Sequence, residues 1–131
     1  QIKNHLKERG LVVEDQGAYA LEPEDDYTDY VKIVAKLVQG KSGSRGIILG
    51  GSGQGEAICA NRFAGVRAAV YYGGSPDIVE LSRAHNDANI LTLPARFIKE
   101  EEAKKCVEVF YNTAFEGGRH ADRVNKISQG C

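Results

Sequence analysis

Residues 50–56 read Gly-Gly-Ser-Gly-Gln-Gly-Glu, so four of these seven positions carry no side chain. Backbone N–H groups in such a run are bare enough to approach a ligand oxygen, and one hydroxyl (Ser52) and one carboxylate (Glu56) stand beside them. These are the parts for proton abstraction next to a carbonyl. Main-chain donors stabilise the oxyanion of an enediolate while the carboxylate moves a proton between neighbouring carbons. A plainer reading stands beside this one: Glu56 partners the dipole of the following helix and the glycines make a tight turn. Two nucleotide readings fail on chemistry. A P-loop needs Lys and then Ser or Thr after its last glycine, whereas Gly55 is followed by Glu56 and Ala57. A dinucleotide fingerprint needs a third glycine where Glu56 stands and an acid near the end of the next strand, where this chain has Tyr71 and Tyr72.

Arg119 and Arg123 are four apart just after Gly117-Gly118. On a helix both guanidinium groups project to one side and can share an anion, a phosphate clamp, or they form a solvated basic face. His85 follows a helical segment, where a lone histidine can simply answer the helix dipole.

The elements that must position these groups follow from pattern. Ile2 and Leu6 share a face of an amphipathic segment, Gln1 to Arg9, stopped by Gly10. Leu11 to Glu14 is a short β-branched run, followed by an acidic loop over 22–26. From Tyr27 to Gln39 a helix places Tyr30, Ile33, Val34, Leu37 and Val38 on one stripe. Gly46 to Leu49 is an apolar strand that enters the glycine loop, and a helix runs from about Glu56 to Arg62. A strand over Val66 to Tyr72, a helix over Pro76 to Ala84, a strand over Ala88 to Leu93 and a helix over Lys99 to Tyr111 complete the alternation. Phe115 to Ile127 reads as a glycine turn and a short basic helix. Alternating β and α implies an α/β fold with a mainly parallel sheet and helices on both faces, a three-layer α/β/α sandwich of Rossmann-like type. Right-handed crossovers put every strand's C-terminal end on one edge, and ligands of open α/β sheets bind there. That edge carries the segments 50–56, 72–75 and 94–96.

Composition bounds the class. The chain has 131 residues, the size of a single domain, and its 17 Lys and Arg against 18 Asp and Glu leave a formal net charge of -1. No basic excess points to nucleic acid. With 42% hydrophobic and 27% charged residues the chain has a globular balance, and no apolar run approaches the ~18 residues of a membrane span. Cys59, Cys106 and Cys131 match neither a zinc site nor a disulfide framework, so reduced thiols and a cytoplasmic location are expected.

Three segments together resemble one family. IILGGSGQGEAICANRFAGVRAA (47–69), LSRAHNDANILTLPARFI (81–98) and FEGGRHADRVNKI (115–127) are similar, in order and spacing, to the B-type ribose-5-phosphate isomerases and the related galactose-6-phosphate isomerase subunits. The resemblance covers nearly the whole chain, and the combination of glycine loop, ANR, HNDAN and GGRH is far more specific than any one motif. It implies an aldose–ketose isomerase of phosphorylated sugars that works through a cis-enediol without cofactor or metal. The implied reaction is ribose 5-phosphate to ribulose 5-phosphate, in the pentose phosphate pathway. A galactose, allose or tetrose phosphate, or a non-catalytic phosphosugar-binding subunit, are the alternatives.

The resemblance also implies roles. Ser52 and the amides around Gly51, Gly53 and Gly55 would hold the enediolate oxygen. Many members carry a cysteine base at the position of Gly50; a second subgroup uses a glutamate where Glu56 stands, and this sequence is of that type. His85 would open the sugar ring, a task suited to an imidazole of unperturbed pKa ~6.5, while Asn86 bonds the substrate. Arg96, Arg119 and Arg123 match phosphate-binding positions, Tyr27 a tyrosine presented to the sugar, and His120 lies in GGRH with a less defined part. His5 is a surface bystander and Cys59 a packing residue. Members are homodimers whose HND segment reaches across to the neighbour's glycine loop. The family chain begins with a strand ending in an Asp-His pair. This chain contains no Met and opens on Gln1 inside a helical pattern, so a strand and half helix of roughly 15 to 20 residues is expected upstream.

Overall fold

The computed structural model describes residues 1–130; Cys131 lies outside the described residues. Helix α1 spans Ile2–Glu8, α2 Tyr27–Gly40, strand β1 Gly46–Gly50, α3 Gln54–Ala60, β2 Ala68–Val70, α4 Asp77–Ala84, β3 Ile90–Pro94, α5 Glu100–Asn112 and α6 Arg119–Ser128. The three strands are all parallel in the order β1-β3-β2, with Ile47 opposite Leu91 and Ala69 opposite the same residue from the other side. β3 is therefore central, and its sequence, apolar but for Thr92, is buried throughout, as expected of a parallel strand covered on both faces.

Alternation along the strands divides the core. Leu91 and Leu93 face a layer of α1, α4 and α5, packing with Leu6, Val79, Val107 and Phe110. Ile48 and Ile90 face α2 and α3, against Val31, Ala35, Val38 and Ala60. Each large side chain so buried contributes ~1.5–3 kcal/mol. The three-layer α/β/α arrangement is thus built as expected. Local chemistry sets the helix starts: the Asp26 side chain accepts from the Thr28 N–H to cap α2, and Glu100, Glu101 and Glu102 place negative charge in the first turn of α5.

Two expectations need correction. The buried stripe of α2 is Val31, Ala35 and Val38, whereas Ile33 and Leu37 are 43% and 45% exposed, because small Ala35 rather than a large residue meets the sheet layer. Strand β2 is shorter than Val66 to Tyr72, since the Arg67 N–H bonds the Asn89 side chain (2.7 Å) before the ladder begins. Among the described residues β1 is an edge strand. Along its free side runs a groove of about 1530 Å³, walled by Val34 and Leu37 on one flank and by Leu6, Phe110 and Tyr111 on the other.

Candidate active site

The glycine loop leaves β1 and turns into α3 at the C-terminal edge of the sheet, as the strand–loop–helix reading requires. It is knitted to the segment after β3: the Ala95 N–H donates to the Gly50 carbonyl (2.7 Å) and the Arg96 N–H to the Gly51 carbonyl (3.2 Å). Gly53 caps α3 with φ +78°, a left-handed value that glycine adopts without steric cost. Ser52 Oγ accepts from the Gln54 N–H at 3.3 Å.

Three glycines of the loop mark where other groups press in. A Cβ on Gly50 would collide with the Glu56 carboxylate, whose farther oxygen lies 2.7 Å from that point. A Cβ on Gly55 would meet the Tyr27 ring, with Cζ at 2.8 Å, and one on Gly51 would lie 3.3 Å from the Arg96 guanidinium. Tyr27, Gly50, Gly51, Ser52, Gly53, Gly55, Glu56 and Arg96 therefore form one constellation. Glu56 is 8% exposed, yet its carboxylate has no hydrogen-bond partner among the described residues. A largely buried carboxylate whose oxygens still reach solvent, set beside bare amides, has the parts of a general base.

A second constellation lies at the C-terminal end of α4. His85 is its C-cap, and the Glu116 N–H donates to the Ala84 carbonyl (2.9 Å), which brings the start of α6 alongside. The His85 and His120 rings stack at 4.2 Å with planes 10° apart. Glu116 Oε2 stands 3.7 Å from His85 Nε2 and 3.6 Å from His120 Nε2. Burial holds the His120 imidazole below its ordinary pKa, and the neighbouring His85 and Arg119 push the same way. Among the described residues these three form the one set of donors compact enough for a metal ion, within 4.8 Å of one another. Near-parallel imidazoles do not aim their nitrogens at a common tetrahedral point, so the arrangement suits proton exchange better than ligation. Arg119 and Arg123 stand on α6 beside His120, both exposed, as is Asn86.

Sequence reasoning missed the residues that hold this second group. Buried Arg83 donates to Asp87 Oδ1 (2.8 Å), the Ala88 carbonyl (2.7 Å) and the Thr113 carbonyl (3.1 Å). Arg67 donates to the Asp87 carbonyl (2.8 Å) and pairs with its carboxylate. Asp87, at φ +49°, is thus clamped in a left-handed turn directly after His85 and Asn86. The one available signal was a His-Asn-Asp run ending a helix. Within a single chain the two constellations share no hydrogen bond or ion pair among the described residues. His5 is not a free surface residue: its Nε2 lies 3.0 Å from Glu108. Cys59 packs at the margin of the α2–α3 core, and Cys106 is fully buried.

A model of the Ribose/Galactose Isomerase family matches residues 1–127. The chain belongs to that family. Its match to the ribose/galactose isomerases extends to individual relatives. Ribose-5-phosphate isomerase B of Escherichia coli is 41% identical over 128 residues, covering 98% of this chain and 84% of the relative. The crystal structure of a ribose 5-phosphate isomerase from Thermotoga maritima superposes with a TM-score of 0.90 at 44% identity, over 98% of this chain and 86% of that one. The structure of ribose-5-phosphate isomerase B from Mycoplasma genitalium with bound ribulose-5-phosphate gives a TM-score of 0.92 at 38% identity, over 98% and 84% of the two chains. No helix described in this isomerase-family chain is long and apolar enough to cross a membrane.

Proposed function

We propose that this chain is an aldose–ketose isomerase that interconverts ribose 5-phosphate and ribulose 5-phosphate with Glu56 as its base. Membership of the ribose/galactose isomerase family supports the reaction class. The observation that carries the base assignment is the unpaired Glu56 carboxylate lodged in the space a Gly50 side chain would take.

The open-chain aldose lies with its carbonyl oxygen at the glycine loop. Glu56 removes the C2 proton, the electron pair forms the C1–C2 double bond, and the oxyanion at C1 is met by Ser52 and the amides around Gly51, Gly53 and Gly55. The O2 proton passes to O1, and protonated Glu56 returns its proton to C1, leaving a carbonyl at C2 and the carboxylate restored. Tyr27, over Gly55, walls the sugar. His85 opens the furanose ring by proton transfer at the ring oxygen, and Asn86 bonds the chain that results. Arg96, Arg119 and Arg123 hold the phosphate.

The complete site draws on two copies of the chain, each giving its His85 group to the other's glycine loop. The separation of the two constellations within one chain supports this. So do exposed apolar residues: α4 presents Ile78 and Leu81, three apart on one face, and Phe97 follows β3. Free thiols suit a cytoplasmic enzyme.

The test is turnover of ribose 5-phosphate by the purified chain. Glu56→Gln keeps the shape and removes the base, so kcat falls ~10²- to 10⁴-fold with sugar-phosphate binding retained. Mixing Glu56→Gln with His85→Asn subunits restores about a quarter of wild-type turnover, because half of randomly paired dimers regain one intact site. A wild-type chain inactive on pentose, hexose and tetrose phosphates overturns the reading. Full turnover by Glu56→Gln removes the base, and no recovery on mixing removes the shared site.

A further inference from the structure

A polar side chain in the middle of the central strand calls for an explanation. Thr92 is 0% exposed in a strand that otherwise reads Ile-Leu-Leu-Pro, and a hydroxyl so placed is costly unless bonded. Its Oγ1 lies 2.9 Å from the Gly53 carbonyl and 3.5 Å from that of Ala69. A threonine has one hydroxyl proton, and the shorter contact takes it. The Gly53 carbonyl also accepts the Ala57 N–H (3.2 Å), the first turn of α3, so its direction is fixed from two sides.

That direction has a chemical consequence one atom further on. In a trans peptide the N–H points opposite to the C=O. With the Gly53 carbonyl turned inward to Thr92, the Gln54 N–H is turned outward, where it meets Ser52 Oγ at 3.3 Å. An oxygen that accepts this bond keeps its own proton free to donate. The relay runs from a buried hydroxyl through one peptide plane to the exposed hydroxyl of the glycine loop.

We infer that Thr92 is a positioning residue: tied to the Gly53 carbonyl, it orients the Gly53–Gln54 peptide and thereby presents the Ser52 hydroxyl as a donor to the reacting oxygen. The role assigned to Ser52 rests on the function proposed above; the tether itself does not.

Thr92→Val is isosteric and suits a strand, but lacks the donor. It lowers kcat ~10-fold with KM for ribose 5-phosphate within about 3-fold, while Thr92→Ser stays near wild type. In a Ser52→Ala background Thr92→Val costs nothing further, because the relay's end is already gone. Amide hydrogen exchange reads the tether without any turnover. Exchange at Gln54 accelerates at least ~10-fold in Thr92→Val and is unchanged in Thr92→Ser. If Thr92→Val does not fold, Thr92→Cys, a weaker donor of similar shape, gives an intermediate loss and an intermediate exchange rate. Unchanged exchange at Gln54 in the folded variant overturns the tether. Multiplicative losses in the double variant, or a failed rescue by serine, overturn the relay to Ser52. An inactive wild type with exchange behaving as described counts against the isomerase reading alone.

Discussion

Replacing Gly50 by alanine tests the seat of Glu56 directly. Gly50 ends β1 with an ordinary negative φ, so a methyl group is tolerated by the backbone and the perturbation is steric. Unstrained contact begins at 3.4 Å, and the farther Glu56 oxygen lies 2.7 Å from the new carbon. That oxygen must retreat by about 0.7 Å, the difference between the two distances, and the nearer atoms of the carboxylate by more. A misplacement of order ~1 Å at a reacting group costs ~10²-fold in rate. The atoms nearest the new carbon all belong to Glu56 rather than to Arg96, Arg119 or Arg123, so KM moves little. Stability is nearly untouched, because the ~1–3 kcal/mol of overpacking is relieved as the carboxylate swings toward solvent, and alanine in a strand regains ~0.5–1 kcal/mol over glycine. The assay is ribulose 5-phosphate formation under saturating substrate, with a thermal melt alongside. A kcat within about 3-fold of wild type would refute the seat, as would a loss that merely tracks collapse of the melting temperature.

Other consequences follow from the same structure. Arg119→Ala removes a charge-assisted anchor, so KM for ribose 5-phosphate rises ~10- to 100-fold while kcat changes less; steady-state kinetics with an unchanged KM would exclude the clamp. His120 is held below the ordinary imidazole value of 6.5, so the unfolded chain takes up its proton first. The stability it contributes is complete above pH 6.5 and is lost as pH falls through the folded pKa. Calorimetry then gives a larger drop in Tm between pH 7 and 5 for wild type than for His120→Asn, and equal drops would remove the assignment. Burial pushes the Cys106 thiol up to about 11, with Tyr71 partly opposing, so peptide mapping after iodoacetamide at pH 8 finds Cys59 alkylated well before Cys106 in the native protein. Equal labelling of the two would contradict the packing.

What the sequence made legible was local. The glycine loop between an apolar run and a helix declares itself through residue type alone, and so does the Gly117-Gly118 turn before α6. The α2 face departs from its periodicity because burial goes to Ala35, a residue that periodicity counts weakly, while Ile33 and Leu37 stay outside. The site's supports were illegible for a different reason. Arg83 reaches Thr113 across 30 residues, and Arg67 reaches Asp87 across 20. Nothing in either arginine's neighbourhood along the chain distinguishes it from the solvated cations around it. Thr92 was hidden in the opposite way, inside an apolar strand, where a single threonine is unremarkable until a carbonyl is found above it.

The two constellations are supported by opposite means, and each suits its task. The proposed mechanism asks the glycine loop for main-chain donors at fixed points, and donors cannot be aimed by side-chain packing where there are no side chains. It is instead bound by its carbonyls: Gly50 and Gly51 to the segment after β3, Gly53 to Thr92 and the first turn of α3. With the carbonyls committed inward, loop amides face the open edge of the sheet, which is the preorganisation that stabilising an oxyanion requires. The His85 turn, on the same proposal, presents movable side chains on a firm base. Its backbone is clamped by two arginines, while Asn86, Arg119 and Arg123 stay exposed and His85 and His120 share one carboxylate without a direct hydrogen bond. On the proposed mechanism, rigidity lies under the atoms that must not move, and freedom is left to those assigned to carry protons and follow the phosphate.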